Sequence, residues 1–384
     1  MERKLSWLDQ FLWLWILLAM ALGLLLGYYV PSARDFFGYQ FMDNVSLPIF
    51  LGLLIMMYPI LCKVRYEELG HTLNKRLIKP FAVSFILNWI IGPLLMTALA
   101  WMTLPDLPGY RIGVIMVGLA RCIAMVLIWN VLSEGDEELC ALLVAWNSIL
   151  QIILYSPYSY LFVNVMGGDD TQAAAVSFWM VAKNVLLYLG VPLVAAVLTR
   201  LGIRNVCKQR TLYDTVFIPW VSPIALLGLL FTIVAMFTLQ GDMVIKEITS
   251  VLRVIVPLLL YFSIMFFGTF FACAFWLDMN YPQTVTQSFT AASNNFELAI
   301  AVCIGVWGVQ SEQALAAVVG PLIEVPLMIA LVYVAKDFRT RFFKGEGLED
   351  KELADEEQGK KGREQEEEEL ELTAATLSRD EEHN

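Results

Sequence analysis

Long apolar segments constrain the fold of this chain more than any other feature. Each approaches the ~20 residues that a helix needs to cross a bilayer. The chain is 58% hydrophobic, well above the ~45–50% of an ordinary soluble domain. The sequence therefore predicts an all-α polytopic membrane protein with ten transmembrane helices, at about 11–30, 46–62, 80–104, 111–132, 137–165, 176–200, 217–240, 251–277, 285–309 and 312–336.

The net charge of −11 is confined to a C-terminal tail. Residues 345–384 hold sixteen Asp and Glu against five Lys and Arg, which leaves 21 of each kind in residues 1–344. The tail has few aromatic residues and runs of like charge, such as residues 366–369. This composition predicts a solvated, largely disordered cytoplasmic tail whose partner the sequence does not identify. The membrane domain is expected to comprise residues 1–344.

Lys and Arg in the connections between spans predict the orientation in the membrane. The side shared with the N-terminus carries fifteen of them, whereas the opposite side carries three, Arg34, Arg111 and Lys246. Because cytoplasmic loops are enriched in Lys and Arg, both termini are predicted to be cytoplasmic. We expect a multi-pass protein of the cytoplasmic membrane. The first apolar run lacks a cleavage site and is interpreted as a span, not as a removed signal.

The spans also indicate an internal repeat. An offset near 175 places the first five spans, about 11–165, on the second five, about 176–336. Repeats with an odd number of spans are inverted in the membrane, as in many secondary transporters, whose substrate sites form on interrupted helices near the midplane. Span 4 carries Arg121 at its centre, and span 9 carries small and amide residues over 288–297. The sequence therefore predicts a 5+5 inverted repeat in which broken spans 4 and 9 meet.

Arg121 and Cys122 lie side by side at the centre of span 4. A charge at the membrane midplane costs between ~2.5 and ~15 kcal/mol and needs a partner, a cavity or a function. Two interpretations of Arg121 remain open, a permanent ion pair with Glu297 or Glu324 and a fixed positive charge at a site. Cys122 either packs as a small hydrophobe, which the residues alone favour, or binds a soft acceptor as a thiolate promoted by the adjacent cation.

Further polar residues within the spans are candidates for the site. Burial disfavours a charged carboxylate, so Glu297 can take up and release a proton, unless it pairs permanently with Arg121. Glu324, between two prolines, is a second proton carrier or a structural partner. Asn294 and Asn295 can satisfy backbone groups that unwinding frees. Asn147 is interpreted mainly as an interhelical hydrogen bonder and more weakly as a site residue.

Soluble-enzyme motifs are absent from the sequence. There is no HExxH zinc motif, Walker loop, dinucleotide fingerprint or GxSxG elbow, and the six cysteines form no CxxC pair. The two histidines, His71 and His383, lie outside the spans, which excludes haem held by histidines within the membrane. We therefore expect no enzyme, no cofactor, no structural metal and no nucleic-acid partner.

Five separated strings resemble the signatures of the arsenical-resistance arsenite efflux permeases, in the bile acid/arsenite/riboflavin transporter superfamily. The resemblance covers roughly residues 10–340. It implies a panel domain of spans 1, 2, 6 and 7 and a core domain of spans 3, 4, 5, 8, 9 and 10. The strings are Met57-Tyr58-Pro59, residues 88–93, residues 120–126 with Trp129-Asn130, residues 294–299 and residues 320–326.

The resemblance also implies a function. It predicts efflux of arsenite, sometimes of antimonite, in exchange for protons, with the essential cysteine at Cys122 and the essential carboxylate at Glu297. Arsenic(III) would be bound at Cys122 as substrate. Sodium-coupled relatives place a cation among the crossed helices, and we hypothesise that Arg121 takes its place. The alternatives are a sodium-coupled organic anion symporter, such as one for bile acids, and a membrane receptor or scaffold that acts through the acidic tail.

Overall fold

The computed structural model describes residues 11–42, 45–64, 75–166, 176–206 and 210–343. The chain divides into two compact units, residues 1–333 and residues 334–384. The described part of the second unit, residues 334–343, is the end of the last helix and the residue after it. The acidic tail predicted at 345–384 lies outside the described residues.

Helices account for nearly all of the described chain. They are α1 (Leu12–Tyr29), α2 (Pro31–Phe37), α3 (Leu47–Lys63), α4 (Lys75–Ile86), α5 (Gly92–Thr103), α6 (Pro108–Leu119), α7 (Met125–Leu132), α8 (Glu137–Ser159), α9 (Phe178–Val185), α10 (Val191–Arg200), α11 (Arg210–Leu212), α12 (Ile218–Lys246), α13 (Ile248–Phe271), α14 (Tyr281–Ala292), α15 (Phe296–Trp307) and α16 (Glu312–Phe342). Wider π-helical turns join or extend them at Leu87–Ile91, Tyr160–Val165, Leu186–Gly190, Leu201–Val206, Tyr213–Phe217 and Ala272–Trp276. One short antiparallel hairpin, β1 (Gln40–Met42) with β2 (Val45–Ser46), lies between α2 and α3.

Every predicted span coincides with a helix or with two consecutive helices. Among the described residues, six continuous helical runs are long and apolar enough to cross a membrane, and α1 with α2, bent by 114°, is a seventh candidate. Spans 2, 4 and 9 correspond to shorter helices. The structure thus confirms an all-helical polytopic membrane protein with one small hairpin, whereas the total of ten crossings stays a prediction. In order, the spans are α1, α3, α4–α5, α6–α7, α8, α9–α10, α12, α13, α14–α15 and α16.

Prolines explain three of the π turns. Each of these turns ends two residues before a proline, at Pro93, Pro192 and Pro219. A proline ring clashes with the carbonyl four residues earlier and removes one hydrogen bond of the helix. The residue before each proline instead donates to the carbonyl five residues back, for example Gly92 to Leu87. The widened turn therefore lets spans 3, 6 and 7 continue through a proline.

Span 7 packs against both span 1 and span 2, since α12 contacts α1 and α3 extensively. Backbones approach closely between α3 and α12. A Cβ on Gly228 would lie 2.9 Å from the amide nitrogen of Met56, so a larger residue there would push the helices apart. The other main contacts join α13 to α14 and α5, and α5 to α6. The assignment of spans to panel and core domains stays a prediction.

Candidate functional site

Spans 4 and 9 are each broken near their centres, and the two breaks contact each other. Residues 120–124 separate α6 from α7, and residues 293–295 separate α14 from α15. Arg121 and Asn294 pair as an isolated antiparallel bridge. The predicted interruptions, and the prediction that they meet, are confirmed.

Asn294 connects three helices at the contact between the breaks. Its side-chain Nδ2 donates to the carbonyls of Val117 and Ala120, at 3.0 Å each. Its backbone N–H donates to Oε1 of Glu324 over 3.3 Å. Glu324 is buried in α16. The structure thereby joins one predicted proton carrier, Glu324, directly to the second break.

Arg121 is fully buried, and its guanidinium lies against the ends of two half-helices. Nη2 donates to the carbonyl of Gly118, in the last turn of α6, and Nη1 donates to the hydroxyl of Tyr261 over 2.9 Å. Tyr261 in turn donates to the carbonyl of Ala291, in the last turn of α14, over 3.4 Å. The backbone N–H of Arg121 donates to Oε1 of Gln151 over 3.0 Å. Carbonyls at helix C-termini carry partial negative charge, so both half-helices stabilise this cation.

Of the two interpretations of Arg121 that the sequence leaves open, the permanent ion pair with Glu297 or Glu324 is not seen. Within the described parts of the chain, no salt bridge involves Arg121, Glu297 or Glu324. The physical reason is that helix C-termini and a tyrosine hydroxyl already surround the guanidinium. The other interpretation, a fixed positive charge at a site, stays a prediction.

Cys122 is 3% exposed and lies in the first break, three residues before α7 begins at Met125. Its Sγ accepts a hydrogen bond from the backbone N–H of Val126, in the first turn of α7, over 3.4 Å. The carboxylates of Glu324 and Glu297 are both near enough to act electrostatically on this sulfur. The structure therefore brings Cys122 together with both predicted proton carriers.

Asn295 and Glu297 occupy the beginning of α15. Oδ1 of Asn295 accepts from the backbone N–H of Leu298 over 3.0 Å, which is an N-cap. The Asn295 N–H donates to the carbonyl of Ala120 in the first break, over 3.1 Å. The cap starts α15 so that Glu297 lies in its first turn. Glu297 is half-buried and forms part of a cavity wall.

The hydrogen bond of Asn147 joins two spans and does not involve a break. Its Oδ1 accepts from the indole N–H of Trp89 over 3.1 Å, which joins span 5 to span 3. Gln151, one helical turn further along α8, holds the backbone of Arg121. The hydrogen-bonding role expected for Asn147 is therefore present, and its role at the substrate site stays a prediction.

A cavity of about 410 Å³ leads to Glu297. Its wall comes from α3, the first turns of α7, and α12, and it includes Met56, Lys63, Met125 and Leu229. Cys122 is not among the lining residues, although Ala124, two residues later, is. In this conformation the sulfur therefore lies just behind the cavity wall.

A second cavity, of about 550 Å³, shares Lys63, Leu127 and Val131 with the first. Its wall carries both charges, with Arg200 and Arg204 among the basic residues and Glu137, Glu138 and Asp214 as the acidic ones. These charged residues belong to connections that the sequence predicts to be cytoplasmic. On the other side of Glu297 the space shrinks to about 20 Å³. The site is thus open toward the predicted cytoplasmic side.

Sequence reasoning did not identify Tyr261 or Gln151 as residues of the site. A tyrosine in an apolar span needs a hydrogen-bond partner for its hydroxyl, and that need was the available signal for Tyr261. Gly92 lies in span 3, within the string 88–93. A Cβ there would lie 2.9 Å from Nη1 of Arg121 and 3.1 Å from the Tyr261 hydroxyl, so glycine leaves the space in which these groups meet.

Sequence comparisons relate the chain to known proteins. Residues 50–247 match the Sodium Bile acid symporter family. The chain is 47% identical over 333 residues to the arsenical-resistance protein Acr3 of Corynebacterium glutamicum, which covers 86% of this chain and 89% of that protein. It is 28% identical over 352 residues to the arsenical-resistance protein Acr3 of Alkaliphilus metalliredigens, with coverages of 88% and 94%.

A third relative is an uncharacterized transporter of Synechocystis sp., which is 30% identical over 351 residues and covers 86% of this chain and 89% of that protein. All three alignments extend over most of both partners. The likeness is therefore not confined to the short strings around the two helix breaks.

Proposed function

Because the chain belongs to the arsenical-resistance Acr3 family and to the Sodium Bile acid symporter family, we propose that it exports arsenite across the cytoplasmic membrane in exchange for protons. Antimonite, which shares the affinity of arsenic(III) for sulfur, is proposed as a second cargo. The observation that carries the proposal is the meeting of Cys122 and Glu297 at two contacting helix breaks, beside a cavity open toward the predicted cytoplasmic side.

Arsenite at neutral pH is mostly the uncharged trihydroxide, which is small and binds thiols. In the proposed cycle, the thiol of Cys122 replaces one hydroxyl of arsenic, and that hydroxyl leaves with the thiol proton as water. Water adds back when the cargo is released outside. Among the described residues, no three His, Cys, Asp or Glu side chains cluster closely enough to hold a metal ion. A single sulfur suits a carrier, because a cage of three would release its cargo slowly.

Glu297 is the proposed coupling residue, and Glu324 is the second proton carrier. Glu297 faces the cavity, from which it can exchange a proton, and both carboxylates act electrostatically on Cys122. Protonation of Glu297 from the outer side removes a negative charge beside the cargo. In the proposed cycle, arsenite binds while the site faces inward and leaves outward as Glu297 takes up a proton.

Arg121 is proposed to act as a tethered cation in place of a coupling sodium ion. In many transporters the C-terminal ends of interrupted helices coordinate the coupling ion. Here the guanidinium contacts one such end directly and the other through Tyr261. A permanent cation at this point removes the need for sodium and leaves the coupling to protons.

The architecture proposed for this cycle is a 5+5 inverted repeat, with a panel of spans 1, 2, 6 and 7 that moves against a core of the other spans. The packing of α12 on α1 and α3, and of α10 on α3, supports the panel. Both termini are proposed to be cytoplasmic. The two cavities that lead to Glu297 then open inward.

Arsenite accumulation in inverted membrane vesicles tests the proposal. With an imposed pH gradient, acid inside, we expect uptake by the native protein in the absence of sodium. Glu297→Gln is expected to lose the response to the pH gradient. Glu312→Gln is the matched control, since Glu312 begins α16, outside the breaks. Uptake that needs a sodium gradient and ignores pH would contradict proton exchange.

Deletion of residues 345–384 separates transport from signalling through the tail. We expect the shortened chain to transport arsenite at the native rate. Loss of arsenic resistance with intact vesicle uptake would instead favour a receptor or scaffold that acts through the tail.

A further inference from the structure

The space on the two sides of Glu297 is strongly unequal. The cavity of about 410 Å³ and a small pocket of about 20 Å³ share Met56, Leu229 and Glu297 as lining residues. A water molecule needs ~10–15 Å³ of such space, so the smaller pocket has room for about one water. Met56 and Leu229 therefore stand where an open route becomes a closed one.

The small pocket lies between helices of spans 1, 2, 7, 9 and 10, and apart from Glu297 and Thr232 its wall is apolar. Leu53 on α3, Met236 on α12 and Ile300 on α15 belong to this wall. Leu53 and Met236 are each 1% exposed. Tightly packed apolar side chains exclude a hydroxylated cargo, because its hydroxyl groups would lose their hydrogen bonds there.

Beyond this pocket, two glutamines join span 7 to the turn between spans 9 and 10. Nε2 of Gln240 donates to the carbonyl of Val309 over 2.5 Å, and Nε2 of Gln310 donates to the carbonyl of Leu239 over 2.5 Å. The pairing is reciprocal, since each segment donates once and accepts once. It lies at the end of span 7 that the sequence predicts to be extracellular. Outward opening between these segments requires both bonds to break.

We propose that these two features form the outer gate of the transport route. Its inner layer is the constriction of Met56 and Leu229, and its outer layer is the reciprocal pair of Gln240 and Gln310. The gate rests on the proposed transport function, since a carrier that faces inward must close its outer half. Met56 acts through its shape and not through its sulfur.

A cysteine reporter in the small pocket tests the inner layer. Leu53→Cys is labelled with a charged, membrane-impermeant methanethiosulfonate added to inverted vesicles, which expose the cytoplasmic side. The unsubstituted chain gives the background, and Cys62, Cys122, Cys140, Cys273 and Cys303 are all buried. Leu226→Cys is the positive control for access, because Leu226 lies on the wall of the cavity of about 410 Å³, called the inner cavity below. Ile300→Cys is a second reporter should Leu53→Cys fail to fold.

We expect slow labelling of Leu53→Cys in the parent and in Met56→Leu, which conserves volume. Met56→Ala should accelerate it by about tenfold, equivalent to about 1.4 kcal/mol. Met125→Ala is the matched control, because Met125 lines the inner cavity and not the small pocket. If Leu226→Cys reacts rapidly and Met56→Ala leaves Leu53→Cys at the parental rate, the constriction is not the barrier. Fast labelling in Met56→Leu would instead assign the barrier to the sulfur and overturn the shape argument.

The outer layer is tested with the same reporter from the opposite side. In right-side-out vesicles, Gln240→Leu and Gln310→Ala should each raise the labelling rate of Leu53→Cys, and Gln283→Ala, near the other end of the spans, should not. Unchanged labelling in both gate variants would overturn the outer layer. These readouts need no arsenite. A protein that shows this accessibility pattern but transports no arsenite retains the gate and loses the proposed function.

Discussion

The two helix breaks contact each other, yet they carry opposite chemistry. The first contributes a cation and a thiol, Arg121 and Cys122, and the second contributes two amides followed by a carboxylate, Glu297. The corresponding helix ends nevertheless serve corresponding purposes. The C-terminal ends of α6 and α14 both face the guanidinium, one directly and one through Tyr261. The N-terminal ends of α7 and α15 hold the sulfur and the carboxylate.

The comparison shows that the ends of the broken helices alone determine where a positive or a negative group is favoured, without an ion pair between side chains. A helix C-terminus favours a cation, and a helix N-terminus favours an anion, by ~0.3–1 kcal/mol at exposed sites and up to ~2 kcal/mol when partly buried. Two crossed, interrupted helices therefore offer one place for a cation and two for anions. This chain fills the cation place with its own side chain. The other two places hold Cys122 and Glu297, the proposed cargo ligand and the proposed proton carrier.

Replacement of Cys122 is expected to have the largest effect, because it removes from the first break the sulfur that is proposed to bind arsenic. Cys122→Ser keeps the size and the hydrogen bond from Val126 but replaces a soft ligand by a hard one. We expect arsenite uptake at the level of vesicles without the protein. The measurement is pH-driven arsenite accumulation in inverted vesicles, normalised to the amount of protein in the membrane.

Cys303→Ser is the matched control for this replacement. Cys303 is fully buried in α15, so its loss tests whether any buried cysteine matters to folding. It should transport arsenite at close to the parental rate. Native uptake by Cys122→Ser would show that the sulfur is not a ligand, and equal loss in both variants would assign the effect to packing.

Much of this arrangement was predictable from the sequence, since it depends on local signals. The interrupted spans followed from Arg121 and from the small and amide residues near Asn294, and the repeat offset predicted that the two breaks meet. The N-cap by Asn295 is likewise a local pattern. What could not be predicted depends on pairing over long separations. Tyr261 lies 140 residues from Arg121 in the chain, and nothing local assigns one to the other.

The choice between the two interpretations of Arg121 was out of reach for the same reason. Sequence reasoning finds the carboxylates that could pair with a buried arginine, but it does not count the carbonyls that a broken helix exposes. The unequal cavities around Glu297 were equally out of reach, because they belong to one conformation of the spans. A sequence specifies the helices that move against each other, and the packing of one state decides which side is open.

Replacement of Arg121 tests whether the cation place in the first break must be filled. Arg121→Gln removes the charge and leaves the carbonyl of Gly118 and the hydroxyl of Tyr261 without their donor. Buried groups left unsatisfied cost ~1–3 kcal/mol each, so we expect a transport rate about tenfold lower in the absence of sodium. If the vacated place accepts a sodium ion, added sodium will restore part of the rate. The measurement is arsenite uptake at fixed pH gradient with and without sodium chloride, against potassium chloride.

Arg253→Gln is the control, since it removes an arginine whose salt bridge with Asp106 is solvent-exposed near the beginning of span 8. Its transport should be native and indifferent to sodium. Two results would contradict the proposed role of Arg121 as a cation that replaces sodium. One is native, sodium-independent transport by Arg121→Gln, and the other is restoration by potassium as effectively as by sodium.

The smallest effect is expected from replacement of Asn295. It distinguishes the stability that this cap gives to α15 from its contribution to transport. Asn295 caps α15, and Asn280 caps α14 at its far end, through equivalent hydrogen bonds of 3.0 and 3.1 Å. Loss of either cap to alanine should destabilise its helix by about 1 kcal/mol, seen as similar decreases in the thermal unfolding midpoint of the detergent-solubilised protein. Asn295→Ala alone should slow arsenite uptake, because the first turn of α15 positions Glu297. If Asn280→Ala slows uptake as much, the cap at the break contributes stability and nothing specific to transport.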